Sequence, residues 1–194
     1  MEIVFVFAPI RLLELLKNNL QMEKFTIAEI DDVRNSGFRP QVVGCFINDR
    51  KILFLYKKIH DLWQLPQGGI DNGEDIDASF TREMAEELGG KFTASVTSDI
   101  SLVGSDEIDF PKQTQNSREL KNDKGEIIFM KGKKYFFIAA TSDTLEIDIA
   151  ETEFDDYKWV THAKALVLCN EMYQQGKKRI TLNALSQIKS LGLI

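Results

Sequence analysis

The sharpest chemical signal in the chain is a run of acids near its middle. In Arg82-Glu83-Met84-Ala85-Glu86-Glu87-Leu88-Gly89 three carboxylates stand at i, i+3 and i+4, which on a helix places them on one face. A solvated acidic face is the ordinary explanation, because Glu forms helices well. Its electrostatics weigh against that explanation. Like charges at i, i+4 are mildly destabilising, and two half-buried carboxylates about 4 Å apart repel by roughly 4 kcal/mol at an effective dielectric of 20. A cation removes that repulsion. Hard oxygen ligands select Mg2+ or Mn2+, which combine a few carboxylates with water and substrate phosphates.

The acids need elements to position them. Residues 74–88 carry a helical pattern that stops at Gly89-Gly90, where a glycine cap is expected, and a Gly-rich segment over residues 65–73 leads into it. Upstream, residues 41–47 and 51–57 read as strands joined by Asn48-Asp49-Arg50 as a hairpin. Downstream, residues 92–96 and 100–103 look like strands, and residues 105–125 look like a long polar loop. Residues 127–130 and 135–140 are strand-like, with Lys131-Gly132-Lys133-Lys134 as their turn. A short strand over 154–160 and helices over 163–188, broken near Gly176, complete the chain. At the N-terminus, residues 3–8 read as a strand, and Pro9 opens an amphipathic helix with an apolar stripe of Ile10, Leu12, Leu13, Leu15, Leu16 and Leu20. The polar residues that follow end in Asn35-Ser36-Gly37, so the expected division is a 1–35 extension and a 36–194 domain. This order predicts an α/β protein with helices packed on a mostly mixed sheet.

From Gly68 the chain reads Gly, five residues, Glu74, seven residues, Arg82-Glu83-Met84, one residue, Glu86-Glu87, one residue, Gly89. Seven specified positions recur by chance in a chain of this length with a probability on the order of 10⁻⁶ at average residue usage. The pattern resembles the signature of the Nudix hydrolases, with Gly90 departing from the family's usual aliphatic residue. The resemblance implies an α/β/α sandwich around a mixed sheet, here with an N-terminal strand-helix extension. It also implies hydrolysis of the pyrophosphate linkage of a nucleoside diphosphate joined to another group. In that scheme Glu83, Glu86 and Glu87, helped by the Gly68 carbonyl, bind Mg2+ or Mn2+, and Glu74 pairs with Arg82 to hold the helix face in register.

Three further segments resemble, in order, the RNA pyrophosphohydrolase and diadenosine polyphosphate hydrolase branch of that family. They are Phe38-Arg39-Pro40-Gln41-Val42, Trp63-Gln64-Leu65-Pro66-Gln67-Gly68-Gly69 and Glu153-Phe154-Asp155-Asp156-Tyr157-Lys158-Trp159-Val160. By that likeness Glu153 is an additional metal ligand or the general base, and Arg39 and Lys57 meet the substrate's nucleotide or phosphates. The branch usually carries a Tyr in the loop after the box, where this chain has Ile108 or Phe110 nearby. The expected activity is Mg2+-dependent hydrolysis of RNA 5′-triphosphate ends or dinucleoside polyphosphates. Hydrolysis of free nucleotides, a non-standard NTP or ADP-ribose, is the alternative within the enzyme class. A nucleotide-sensing module without catalysis is the alternative outside it, and the intact Glu83, Glu86 and Glu87 argue against that one.

Composition sets the outer bounds. The 194 residues suit one good-sized domain, and 43% hydrophobic with 28% charged residues excludes disorder. With 24 Lys and Arg against 30 Asp and Glu the net charge is −6, so the whole-molecule basic field that drives binding to DNA or an anionic membrane is missing. A nucleotide polyphosphate or a single RNA 5′ end then needs local cations or metal. Cys45 and Cys169 lie in apolar contexts, which predicts two buried thiols. No apolar run reaches the roughly 20 residues needed to span a bilayer, and Glu2 replaces the basic start of a signal peptide; the expectation is a cytoplasmic protein. His60 and His162 are isolated and read as surface residues, and the runs Lys131, Lys133, Lys134 and Lys177-Lys178-Arg179 read as solvated faces that could otherwise guide an RNA 5′ end. The N-terminal extension is expected to widen the sheet or to make a homodimer contact.

Overall fold

Strand β1 (Phe38–Asn48) is buried along nearly its whole length. Its alternate side chains feed two separate cores, Val43, Cys45 and Ile47 on one side and Val42 and Phe46 on the other. Burial on both faces marks the middle of a covered sheet. The computed structural model describes residues 25–96 and 100–194. Across β1, the strand β8 (Gly132–Thr141) runs parallel from Phe38 opposite Gly132 to Ile47 opposite Thr141. The remaining pairings are antiparallel: β2 (Lys51–Lys57) with β1, β3 (Leu62–Gln64) and β9 (Asp156–Val160), β4 (Gln67–Gly69) with β1, and β5 (Ser101–Asp109) with β8. The sheet is therefore mixed. Asp49 and Arg50 both have positive φ, 44° and 59°, the conformation that a two-residue hairpin needs to match strand twist.

Helices cover both faces. On one side α1 (Ile27–Asn35), α2 (Ile76–Leu88) and α3 (Gly90–Ala94) contribute Ile30, Phe80, Met84, Leu88 and Phe92 to a core with Phe46 and Phe136. On the other, α4 (His162–Glu171) and α5 (Gln175–Ser190) bring Leu168, Ile180, Leu185 and Ile188 against Phe54 and Phe137. The result is the α/β/α sandwich. Each of these fully buried side chains contributes about 1.5–3 kcal/mol of transfer free energy. Cys45 and Cys169 are both buried and unpaired, in the α4 and α5 core.

Several local expectations change. Residues 92–96 are not a strand: α3 swings Phe92 into the core, where its ring meets Phe46 edge-on at 5.3 Å. The polar stretch over 105–125 is partly strand, since β5 runs on to Asp109 and β6 (Glu119–Lys121) pairs with β7 (Ile127–Phe129) as a hairpin. Its polarity is that of strands exposed on one side. The segment Lys131-Gly132-Lys133-Lys134 is not a turn but leads into β8; a Cβ on Gly132 would lie 2.1 Å from the Ile108 carbonyl oxygen, so only glycine lets β5 and β8 approach there. The C-terminal helices part at Met172, and Gly176 lies inside α5. Helix α1 lies in a stretch whose polarity gives no apolar stripe; Thr26 and Glu29 form a reciprocal capping box at its start. The expected strand over 3–8 and helix after Pro9 lie outside the described residues. Among the described residues no helix is long and apolar enough to cross a membrane.

Candidate active site

Ile76, Phe80, Met84 and Leu88 anchor α2 in the core, leaving the carboxylates on faces that can meet the segment before the helix. Asp75 caps that helix by accepting from the Ala78 N–H at 2.8 Å. The Glu83 carboxylate rests on the backbone of Gly68 so closely that a Cβ there would lie 1.7 Å from Glu83 Oε2. Arg82 binds its neighbours on both sides. It donates to both Glu74 oxygens at 2.8 and 2.7 Å, to Glu83 Oε1 at 2.7 Å and to the Gly69 carbonyl at 2.9 Å. Hydrogen bonds from Arg82, then from Ser79 and the Asp71 N–H, hold the Glu74 carboxyl down at about 2 despite partial burial.

Glu87 is in the opposite condition. Burial pushes its carboxyl up to about 8; the Gln67 N–H, donating at 2.8 Å, and the Lys177 cation pull it back, while Glu83 and Glu153 push the same way as burial. Glu86 is 60% exposed, with one oxygen 3.7 Å from Arg82. Glu153 reaches the site from the loop before β9 and accepts from Lys57 at 3.2 Å. Lys57 also lies over the Phe154 ring, 5.5 Å from its centroid.

Cations border these acids. Lys177, at the start of α5, donates to Gln64 Oε1, and its pKa is lowered by burial and by Lys57 while Glu87 opposes the shift. Lys133 on β8 stands in register with Arg39 on β1, and burial with the neighbouring Arg39, Lys177 and Arg118 brings its amine down to about 8. Two positions along, Gln41 pairs in register with Tyr135, and its side-chain oxygen is buried with no hydrogen-bond partner. The acids of α2 thus meet a cationic wall built from β1, β8 and α5.

Sequence reasoning favours solvated faces for Lys133 and Lys177, with guidance of an RNA 5′ end as the other reading, and gives Gln41 no role of its own. The two lysines sit in runs that look solvated, and only the parallel pairing of β1 with β8 and the approach of α5 place them beside Arg39 and Glu87. Of the other lysine-run residues, Arg179 is committed to Asp106, at 2.8 Å.

The oxygen-rich donors fit a small divalent cation. Among the described residues no three acidic, His or Cys side chains converge to hold a metal ion as they stand: Glu83 turns to Arg82, Glu87 to the Gln67 N–H and Glu86 to solvent. Mg2+ asks for only one or two carboxylates beside water and substrate phosphates. Glu87 carries the stronger indication, because a half-buried carboxyl crowded by two others is stabilised in its charged form by a cation.

A NUDIX domain model matches residues 38–182. Nudix hydrolase 27, chloroplastic, of Arabidopsis thaliana is 30% identical over 137 residues, 64% of this chain but only 56% of that protein, so the chain spans little more than half of this relative. An RNA pyrophosphohydrolase of Ruthia magnifica subsp. Calyptogena magnifica is 31% identical over 139 residues, 67% of this chain and 72% of that one. The structure of the E. coli dihydroneopterin triphosphate pyrophosphohydrolase superposes with a TM-score of 0.51 at 16% identity, covering 74% of this chain and 94% of that one, a likeness of fold. With the family model spanning most of its length, and an α/β/α sandwich that places the box helix against the central strand, this chain belongs to the Nudix family.

Proposed function

We propose that the protein is a divalent-metal-dependent pyrophosphohydrolase acting on RNA 5′-triphosphate ends or dinucleoside polyphosphates. The observation that carries this reading is Glu83 seated on Gly68 and held by Arg82, which both oxygens of Glu74 hold in turn, with the half-buried Glu87 one turn further along the helix. Glu83, Glu86 and Glu87, with the Gly68 carbonyl, would hold Mg2+ or Mn2+. Ions bound there supply charge neutralisation of the phosphates and an acidified water. Arg82 keeps Glu83 against Gly68 and is itself kept in place by Glu74. Glu153, hydrogen-bonded to Lys57, accepts the proton of the attacking water. Arg39, Lys57, Lys133 and Lys177 neutralise the substrate's phosphates, with the guanidinium of Arg39 suited to paired phosphate oxygens. Similarity to enzymes named RNA pyrophosphohydrolase supports the substrate class.

Chromatography of products from 5′-triphosphorylated RNA, dinucleoside polyphosphates and free nucleoside triphosphates, each with Mg2+ and with chelator, tests the assignment. The proposal expects Mg2+-dependent turnover of one of the first two at least about tenfold faster than of any free triphosphate. Preference for a free triphosphate would contradict it.

A further inference from the structure

Residues 69–74, which join β4 to α2, are gripped from two sides. Arg82 of α2 donates to the Gly69 carbonyl, and the next two carbonyls, of Ile70 and Asp71, accept from Arg34 at 3.0 and 2.7 Å. Arg34 belongs to α1, ahead of the family-matched residues, and is only 2% exposed. Its other terminal nitrogen reaches Asp123 at 3.1 Å and Asp31 at 3.5 Å. Asp123 sits in the turn between β6 and β7, and the same oxygen accepts from the Asn72 amide at 2.9 Å and the Gly73 N–H at 3.2 Å. That turn is in turn tied to α1: Asp31 accepts from the Asp123 N–H at 2.7 Å, and Asn35 accepts from Asn122 at 3.0 Å. Helix α1 and the hairpin therefore close as one clamp on residues 70–73.

A buried guanidinium is tolerated only when its donors are used, and here they serve two backbone carbonyls and two carboxylates. The planar fork matters, since an ammonium cannot span those directions. The clamp also connects to the box acids. The Asp71 N–H donates to Glu74 at 3.1 Å, the Asp71 carboxylate lies 3.6 Å from Arg82, and Arg82 holds Glu83. We infer that Arg34, pinned by Asp123, is a positioning residue for the metal-binding face: it fixes residues 69–74, and through Asp71, Glu74 and Arg82 it fixes Glu83 against Gly68. This rests on the metal reading given above.

The test compares wild type with Arg34→Lys and Asp123→Asn by Mn2+ binding, read from the paramagnetic resonance of the free ion, and by amide hydrogen exchange. Both variants are expected to bind Mn2+ on the order of tenfold more weakly, the usual effect of loosening groups that orient metal ligands. Exchange quickens at residues 69–74 while β8 keeps wild-type protection. Should Arg34→Lys fail to fold, Asp123→Asn, in a partly exposed turn, carries the comparison alone. Wild-type affinity in the folded variants overturns the inference and leaves the metal reading standing. Absence of Mn2+ binding by the wild type overturns the metal reading, and the inference with it.

Discussion

Gly68 and Glu83 show how closely single residues are matched here. A methyl group at residue 68 collides with the far end of a flexible side chain, so Gly68→Ala moves the Glu83 carboxylate rather than the backbone. We expect its thermal midpoint to stay within about 2 °C of wild type, a shift worth about 0.5–1 kcal/mol at most, while kcat falls at least tenfold; an unchanged kcat would detach Glu83 from the chemistry. Glu74 governs a different observable. Its folded pKa, about 2, lies below the ordinary 4.5, so its contribution is present above pH 4.5 and is lost as pH falls towards 2. Glu87 has the reverse sign: raised to about 8, it favours the metal-free fold below pH 4.5, and that support fades as pH rises to 8. Urea melts between pH 2 and 5 should lose about 1–3 kcal/mol in wild type beyond the loss in Glu74→Gln. Parallel curves would remove the Arg82 pair from the stability of the fold. The alignment of Glu83, Glu86 and Glu87 is legible in sequence because helical spacing is local. The unequal protonation of Glu74 and Glu87 is not, because it depends on Arg82 packing against one and on the partial burial of the other beside Glu83 and Glu153.

At the level of elements, Gly89 separates α2 from α3. With φ 84° and ψ 149° it adopts a conformation open essentially only to glycine, and a Cβ would also press on Glu151 at 3.1 Å. Gly89→Ala should cost about 1–3 kcal/mol, measured by urea denaturation; a smaller loss would show that the α2 exit can relax. The glycine stop is readable in advance, as are the β1–β2 hairpin and the helix over residues 76–88, because each has a local signal. The failures share a cause in tertiary context. Phe92 looks like a strand residue until the Phe46 ring gives it a partner in a five-residue helix, and Lys133 looks like a turn residue until β1 recruits it in parallel. Helix α1 did have a local signal, Thr26 three residues before Glu29, outweighed by the polarity of its surroundings.

Across the whole molecule, a chain of net charge −6 presents local positive charge where β1, β8 and α5 meet. Burial first, and the charges of Arg39, Lys177 and Arg118 after it, bring the Lys133 amine down to about 8, and a polyanion bound there would favour its charged form. On the proposed reading the acids on one side would hold metal and the cations on the other would receive phosphates, and only the assembled sandwich brings the two together. The most direct measurement is phosphate release from 5′-triphosphorylated RNA and from a dinucleoside polyphosphate, for wild type and Glu86→Gln, with Mg2+ and with chelator. Glu86 is 60% exposed, so its replacement leaves the fold intact. The account predicts that chelator abolishes release and that Glu86→Gln lowers kcat at least a hundredfold. Release that survives both would contradict it.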